Sequence, residues 1–405
     1  MFTFLSPATT KKTLPILPDC NSCGLLHNCS HKMQKVSKGG PTVLVVDYPG
    51  ADTPNGLRQQ KRLSDDLRKL GHSVDEFTIV PAAACPRPAK DPKIEPWKHC
   101  QPLMVSTIKE LKPAKIITYG KRALASVIGW LWGTSAELPD YWYGRRIPSR
   151  ELNAWIFPIG RKGMIKNPAV SIIYQHRAFL AAFQQQGRPY DVVPDYASQV
   201  QILYDPASII AALARASLAE ISAFDYETNC LKPYRPQAKV FTASVAWLEG
   251  TKTHCVAFPM LDSIIEHWEA YLLSQSRKIA ANAKFEVNWS VVKYGVEPVN
   301  MLWDNVIAGH IYDPQTGVAG LKLQAFRDLG LPYFASDVEK YLTSDDEAGI
   351  NSIHLADKRS LLLYNGIDSL AELDLGLVQM YEAGRCRLWS DNLPKQEYYT
   401  MGEWR

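Results

Sequence analysis

The sequence predicts two consecutive domains, an α/β domain with a parallel sheet followed by an α+β domain with a mixed sheet. Three observations carry this. The 405 residues exceed what a single hydrophobic core usually organises. Over residues 43–129, short apolar runs alternate with helical patterns, as parallel strands joined by crossover helices do. Beyond residue 200, two successive strand patterns precede a remainder that reads as mostly helical.

In chain order, VLVVD at 43–47 is a buried strand running into a Tyr-Pro-Gly turn. A helix follows over 57–70 and a second strand near 73–80. Residues 97–112 are amphipathic and stop at Lys112-Pro113, before the strand KIITYG at 115–120 and the helix RALASVIG at 122–129. QQQGRPYDVVPDY at 184–196, rich in Gln, Gly and Pro, reads as a connection. It sets the expected boundaries: a first domain over 1–190, a linker over 191–200, a second domain over 201–387 and a tail over 388–405. Within the second domain, 205–219 is an Ala-rich helix, ISAFDYET at 221–228 a strand, VFTASVAWLEG at 240–250 its hairpin partner, and 261–385 mostly helix.

Composition is that of an ordinary globular protein, 46% hydrophobic and 21% charged. The net charge of +4 conceals an asymmetry: residues 1–200 hold 27 Lys and Arg against 15 Asp and Glu, and residues 201–405 hold 18 against 26. A basic half beside an acidic half suits a polyanion-binding surface joined to a carboxylate-rich metal site. No apolar run is long enough to span a bilayer, and in MFTFLSPATTKK the lysines follow the apolar stretch, the reverse of a secretory signal. The expected setting is the reducing cytoplasm, where eight cysteines point to metal ligation rather than a disulfide framework.

Asp225 and Glu227, two apart on a strand, share one face. Two such carboxylates repel unless cations sit between them, and hard ions such as Mg²⁺ or Mn²⁺ choose oxygen sites of this kind. Phe224-Asp225-Tyr226-Glu227-Thr228 resembles the first motif of the DnaQ-like exonucleases, in the form used by proofreading domains of family A DNA polymerases. Asn282-Ala283-Lys284-Phe285-Glu286 is similar to the second motif with Glu in place of Asp, and Trp303-Asp304 sits where that family has a further aspartate. Tyr364-Asn365-Gly366-Ile367-Asp368 supplies the third motif, with Tyr364 and Asp368 on one helical face. The resemblance covers about 200–385 and implies an RNase H-like, DEDDy 3′→5′ exonuclease using two Mg²⁺ or Mn²⁺ ions. It implies that Asp225, Glu227 and Asp368 hold the tighter ion and Glu286 helps with the second. Tyr364 is expected to orient the attacking water and Asn282 to lie with the DNA-contacting residues. The extra methylene of Glu286 displaces its carboxylate by roughly 1 Å, an error of the size that costs about 100-fold in rate, so slower hydrolysis or a preference for Mn²⁺ is expected.

Cys20-x-x-Cys23, Cys85 and Cys100 offer four thiolates whose spacing suits zinc or an iron–sulfur cluster without deciding between them. CNSCGLLHNC, the CPRP loop and EPWKHCQPLMVSTIKELKPAKIITYGKRAL together resemble the family 4 iron–sulfur uracil-DNA glycosylases over about 18–180. That resemblance implies a [4Fe–4S] cluster on Cys20, Cys23, Cys85 and Cys100, with Cys29 an alternative ligand. The active-site motifs of that family fit less well. Its pocket corresponds to Asp47, Pro49 and Gly50, with Asp52 a rough equivalent of its downstream acid, and its late loop becomes Gln175-His176-Arg177. A DNA-binding role is therefore favoured over base excision, with Lys115, Lys121, Arg122, Arg145, Arg146, His176 and Arg177 meeting phosphates and Tyr141, Trp142 and Tyr143 available for stacking.

A glycosylase-like domain joined to a proofreading-type exonuclease resembles the front part of bacteriophage family A DNA polymerases, or a split exonuclease subunit of one. Only about one helix and the segment LWSDNLPKQEYYTMGEWR follow Asp368, so polymerisation is not expected, and the segment is a candidate docking peptide for a polymerase. The expected function is proofreading-type DNA exonuclease in phage replication, in the cytoplasm of a bacterial host. It would act on a single-stranded or primer-template 3′ end, without membrane association. The alternatives are a uracil-DNA glycosylase and a non-catalytic DNA-binding or processivity subunit.

Overall fold

The computed structural model describes residues 36–37, 39–47, 54–83, 96–132, 142, 145–160, 168–313, 317–331, 338–344 and 349–383. Cys20, Cys23, Cys29, Cys85, Pro49, Gly50, Asp52, Tyr141, Tyr143 and the 388–405 tail lie outside them. The chain divides into two compact units, Met1–Val192 and Val193–Arg405.

In the first unit, β1 (Thr42–Val46), α1 (Pro54–Lys69), β2 (Phe77–Pro81), α2 (Pro96–Leu111), β3 (Lys115–Tyr119), α3 (Lys121–Trp132), β4 (Ile147–Ser149), β5 (Ala154–Ile159), α4 (Pro168–Gln184) and α5 (Pro189–Val192) follow in order. The sheet runs β2-β1-β3-β5-β4, parallel throughout except that β4 opposes β5. Strands β1, β3 and β5 are near-continuous apolar runs with almost every residue buried, as strands covered on both faces require. Strand β2 starts later than its pattern predicts. Ser73 and Glu76 form a capping box around a 3₁₀ turn, with Ser73 N–H donating to Glu76 Oε1 at 2.7 Å, so residues 74–76 are held out of the ladder.

The second unit contains α6 (Tyr196–Gln199), β6 (Val200–Ile202), α7 (Pro206–Leu218), β7 (Ile221–Thr228), β8 (Val240–Glu249), β9 (Lys252–Pro259), α8 (Ile265–Leu272), β10 (Arg277–Ala280), α9 (Ala283–Tyr294), β11 (Met301–Asp304), α10 (Asn305–Tyr312), α11 (Leu321–Gln324), α12 (Glu339–Leu342) and α13 (Lys358–Glu382). Its sheet order is β11-β10-β7-β8-β9-β6. The β7–β8–β9 meander is antiparallel, and β10, β11 and β6 are parallel to their neighbours.

The period-2 pleat of β7 sends Phe224 and Tyr226 into an aromatic core with Trp268, Tyr271 and Trp289, while Ile221 and Ala223 meet the core built on α13. Asp225 and Glu227 continue that second face toward α13. Helix α13 lies close to the sheet: Ser244 Oγ donates to the Asn365 carbonyl at 2.8 Å, and a Cβ at Gly366 would come within 2.4 Å of Val200 Cγ1 and 3.3 Å of the Ala257 Cβ. Glycine there is a requirement of close approach.

One sequence expectation needs correcting. The segment read as a linker over 191–200 ends inside the fold: Tyr196 is buried with its hydroxyl donating to Asp374 Oδ2 at 2.6 Å, and Val200 opens β6, which pairs with β9. The stretch 261–385 is mostly helical, as its sequence predicts, and also contributes two strands, β10 and β11, to the sheet. Both are four residues long, too short for a period to register.

Candidate active site

Strand β7 and helix α13 bring Asp225, Glu227 and Asp368 together, one oxygen of each lying within 4.8 Å of the others. Asp225 is partly exposed, and Glu227 and Asp368 are buried. Asn365, three residues before Asp368, donates from Nδ2 to Asp225 Oδ2 at 2.6 Å. Glu286 stands in the first turn of α9 and is 2% exposed. Tyr364 is buried one turn before Asp368.

Glu286 is positioned by Asp304. Asn282 adopts a left-handed conformation (φ 68°), and the N–H groups of Asn282 and Ala283 donate to Asp304 at 3.2 and 2.9 Å. Asp304 Oδ1 also accepts the Val306 and Ile307 N–H groups at 2.8 and 3.1 Å, so one carboxylate caps both α9 and α10. Its aspartate is thus occupied in anchoring helices. Asn282 serves here as the left-handed residue that starts α9.

Two charged residues of the site were missed in the sequence. Glu372, one turn beyond Asp368, is fully buried and accepts the Ala281 N–H at 3.1 Å. Lys322 of α11 forms an ion pair with Asp368 and holds its Nζ 4.3 Å from the centre of the Tyr364 ring. Glu372 had a signal, the i, i+4 continuation of Tyr364 and Asp368 along one face. Lys322 had none.

Burial dominates the electrostatics. It pushes Asp225 up to about 6, opposed by the charge of Lys322 and the Asn365 hydrogen bond. Burial and then the charge of Asp225 drive Glu227 well above the usual carboxylate range. Glu286 and Glu372 are also driven up by burial and then by the charge of Asp225. Burial pulls Lys322 down to about 8 against the surrounding carboxylates, Glu227 and Asp225 foremost. Glu286 Oε2 and Glu372 Oε2 are buried without a hydrogen-bond partner. Crowded carboxylates with unsatisfied oxygens are the donor set that hard divalent cations take, so the residues present fit such an ion.

No protein-family model and no curated protein matches the chain. Solved structures do. The chain is similar to the POL domain of Pol1 from M. smegmatis in complex with a DNA primer-template and dNTP (15% identity, TM-score 0.33, 49% of this chain and 30% of that one). It is similar to Brucella melitensis NrnC with bound Mg²⁺ (16%, TM-score 0.30, 47% and 84%). It is also similar to Escherichia coli RNase D, an exoribonuclease (14%, TM-score 0.31, 46% and 45%). The chain therefore spans less than a third of the polymerase structure and less than half of RNase D.

In the first unit, Asp47 follows β1 and is 5% exposed; its carboxylate accepts the Arg122 N–H at 3.1 Å at the start of α3. Of the basic residues, Arg146 stacks on Trp155 at 4.5 Å and donates to Gln185 Oε1 at 2.8 Å, and Lys115 Nζ donates to the Phe183 carbonyl at 3.4 Å. Arg145 is half-buried beside Trp142, to whose carbonyl its N–H donates at 3.3 Å. Trp142 itself is buried, which takes its ring out of the group offered for stacking. His176 is half-buried on α4, next to Gln175, which is tied to Asp66 and Tyr119. Cys100 is half-buried on α2, and Arg177 is described only in its helical backbone.

Proposed function

We propose that the second unit is a metal-dependent 3′→5′ exonuclease acting on DNA. The observation that carries this is the convergence of Asp225, Glu227 and Asp368, from β7 and α13, within 4.8 Å. Asp225, Glu227 and Asp368 would hold one divalent ion, and Glu286 would help to hold a second. Such ions supply a nucleophilic hydroxide at neutral pH and neutralise charge on the phosphoryl group.

The chain's own residues supply positioning. Asn365 fixes one oxygen of Asp225. Asp304 fixes the first turn of α9 and with it Glu286. Tyr364 stands one turn from Asp368, where its hydroxyl would orient the attacking water. The basic excess of residues 1–200 supports a DNA-holding role for the first unit. The motif resemblance to family A proofreading domains supports a place beside a DNA polymerase in phage replication.

The test is a 3′-labelled DNA oligonucleotide, an RNA of the same sequence and a uracil-containing DNA, each incubated with Mg²⁺, Mn²⁺ or EDTA. Metal-dependent shortening of DNA from its 3′ end, lost in Asp225→Asn and Asp368→Asn, is the expected result. Equal degradation by Asp225→Asn would sink the proposal. EDTA-insensitive release of uracil would assign the chain to base excision instead.

A further inference from the structure

The chain places a cation of its own among these carboxylates. Lys322 Nζ pairs with Asp368, lies 4.3 Å from the Tyr364 ring centre and sits in the field of Glu227, Asp225 and Glu372. Lys322 is buried enough that its side chain retains 20% of its exposure. We propose that Lys322 is a resident counter-cation of the cluster, and that its ammonium and a divalent ion compete for Asp368.

The reasoning is electrostatic. Asp225, Glu227, Glu286, Asp368 and Glu372 crowd one buried region, and uncompensated carboxylates there are strongly destabilising. A lysine on a flexible stem is a compact, mobile point charge, suited to leave when a stronger cation arrives. Helix α11, which carries it, is a four-residue turn, beginning just after Gly317–Gly320 and running directly into a π-helical turn, Ala325–Leu329. The aromatic ring of Tyr364 offers the ammonium a second attractive surface beside the carboxylate. Metal entry would therefore release both Asp368 and the residue expected to orient water. On this proposal Lys322 would balance the cluster's charge until a divalent ion binds.

This inference rests on the metal-site reading above, and direct metal binding separates the two. Mn²⁺ affinity is measured by the electron paramagnetic resonance signal of the free ion, for the full chain, Lys322→Met, Lys322→Gln and Lys322→Arg. The Met and Gln variants should bind Mn²⁺ tighter by about tenfold or more, equivalent to removing ~1.4 kcal/mol of competing attraction, whereas Arg keeps the weak binding. Equal or weaker binding in Met and Gln overturns the competition, and no binding by any protein overturns the metal site as well. A second readout needs no variant. Reductive methylation of Lys322, followed by mass spectrometry, should be slow in EDTA and faster with saturating Mn²⁺. An unchanged rate overturns the proposal even if a variant fails to fold. Loss of oligonucleotide affinity with unchanged Mn²⁺ affinity would make Lys322 a phosphate contact instead.

Discussion

Asn365 Nδ2 donates to Asp225 Oδ2 at 2.6 Å, so the residue next to Tyr364 on α13 clamps the strand carboxylate across the site. A hydrogen bond to a charged group contributes about 1.5–3 kcal/mol, so Asn365→Ala should lower kcat by about 10- to 100-fold. Because the same bond lowers the Asp225 pKa, the acidic limb of the pH–rate profile should move to higher pH. An unmoved limb would show that Asp225 does not depend on this contact.

Asp304 holds four backbone N–H groups at the starts of α9 and α10. Losing a helix cap costs roughly 1 kcal/mol, so Asp304→Ala should destabilise the unit by about 2 kcal/mol in urea unfolding. Its hydrolysis should fall too, through displacement of Glu286. Wild-type stability in this variant would refute the double-cap role.

Asp374 gives a pH dependence outside the Asp225–Glu227–Asp368 cluster. Burial pushes it up to about 6, with the Tyr196 hydroxyl holding it back. An unfolded aspartate titrates near ~3.9, so the folded protein keeps a proton that the unfolded chain releases between those values. The stabilising contribution is complete below the unfolded value and is lost as pH rises through about 6. Melting temperatures across this range should fall less steeply in Asp374→Asn. Parallel curves for the two proteins would contradict the assignment.

Gly366→Ala tests close packing. A Cβ there meets Val200 Cγ1 at 2.4 Å, and overpacking of this kind costs about 1–3 kcal/mol, more than the ~1 kcal/mol that alanine gains in a helix. The variant should be less stable, and its loss of activity should exceed its loss of stability, because Tyr364 and Asp368 flank residue 366. A more stable variant would mean that β6 yields readily.

The parts of the site legible in the sequence were those with a strict period. Asp225 and Glu227 share a strand face because side chains alternate, and Tyr364 and Asp368 share a helix face because four residues make about one turn. Glu372 obeys the same rule one turn later, but no motif marked it. Lys322 could not be read at all, since its role depends on where the irregular stretch around α11 meets α13. Strand β10 was hidden by Lys278, a fully buried lysine whose Nζ donates to the carbonyls of Ser274, Ser276 and Val299 at 3.2, 2.9 and 3.3 Å. Polarity in its sequence masked an interior strand. In the first unit the parallel sheet was legible from its unbroken apolar runs, whereas the capping box at Ser73 moved the start of β2.

The three-residue strand β6 has a colloidal consequence. It covers the outer edge of β9, pairing Val200, Gln201 and Ile202 with Cys255, Val256 and Ala257. A fragment trimmed to start at Asp205, ahead of the Ala-rich helix, would bare that edge as a template for intermolecular strand addition. It would also strip Tyr196 from Asp374. A soluble, monodisperse fragment of the second unit should therefore begin at or before Val193, and trimming into 196–202 should yield aggregates.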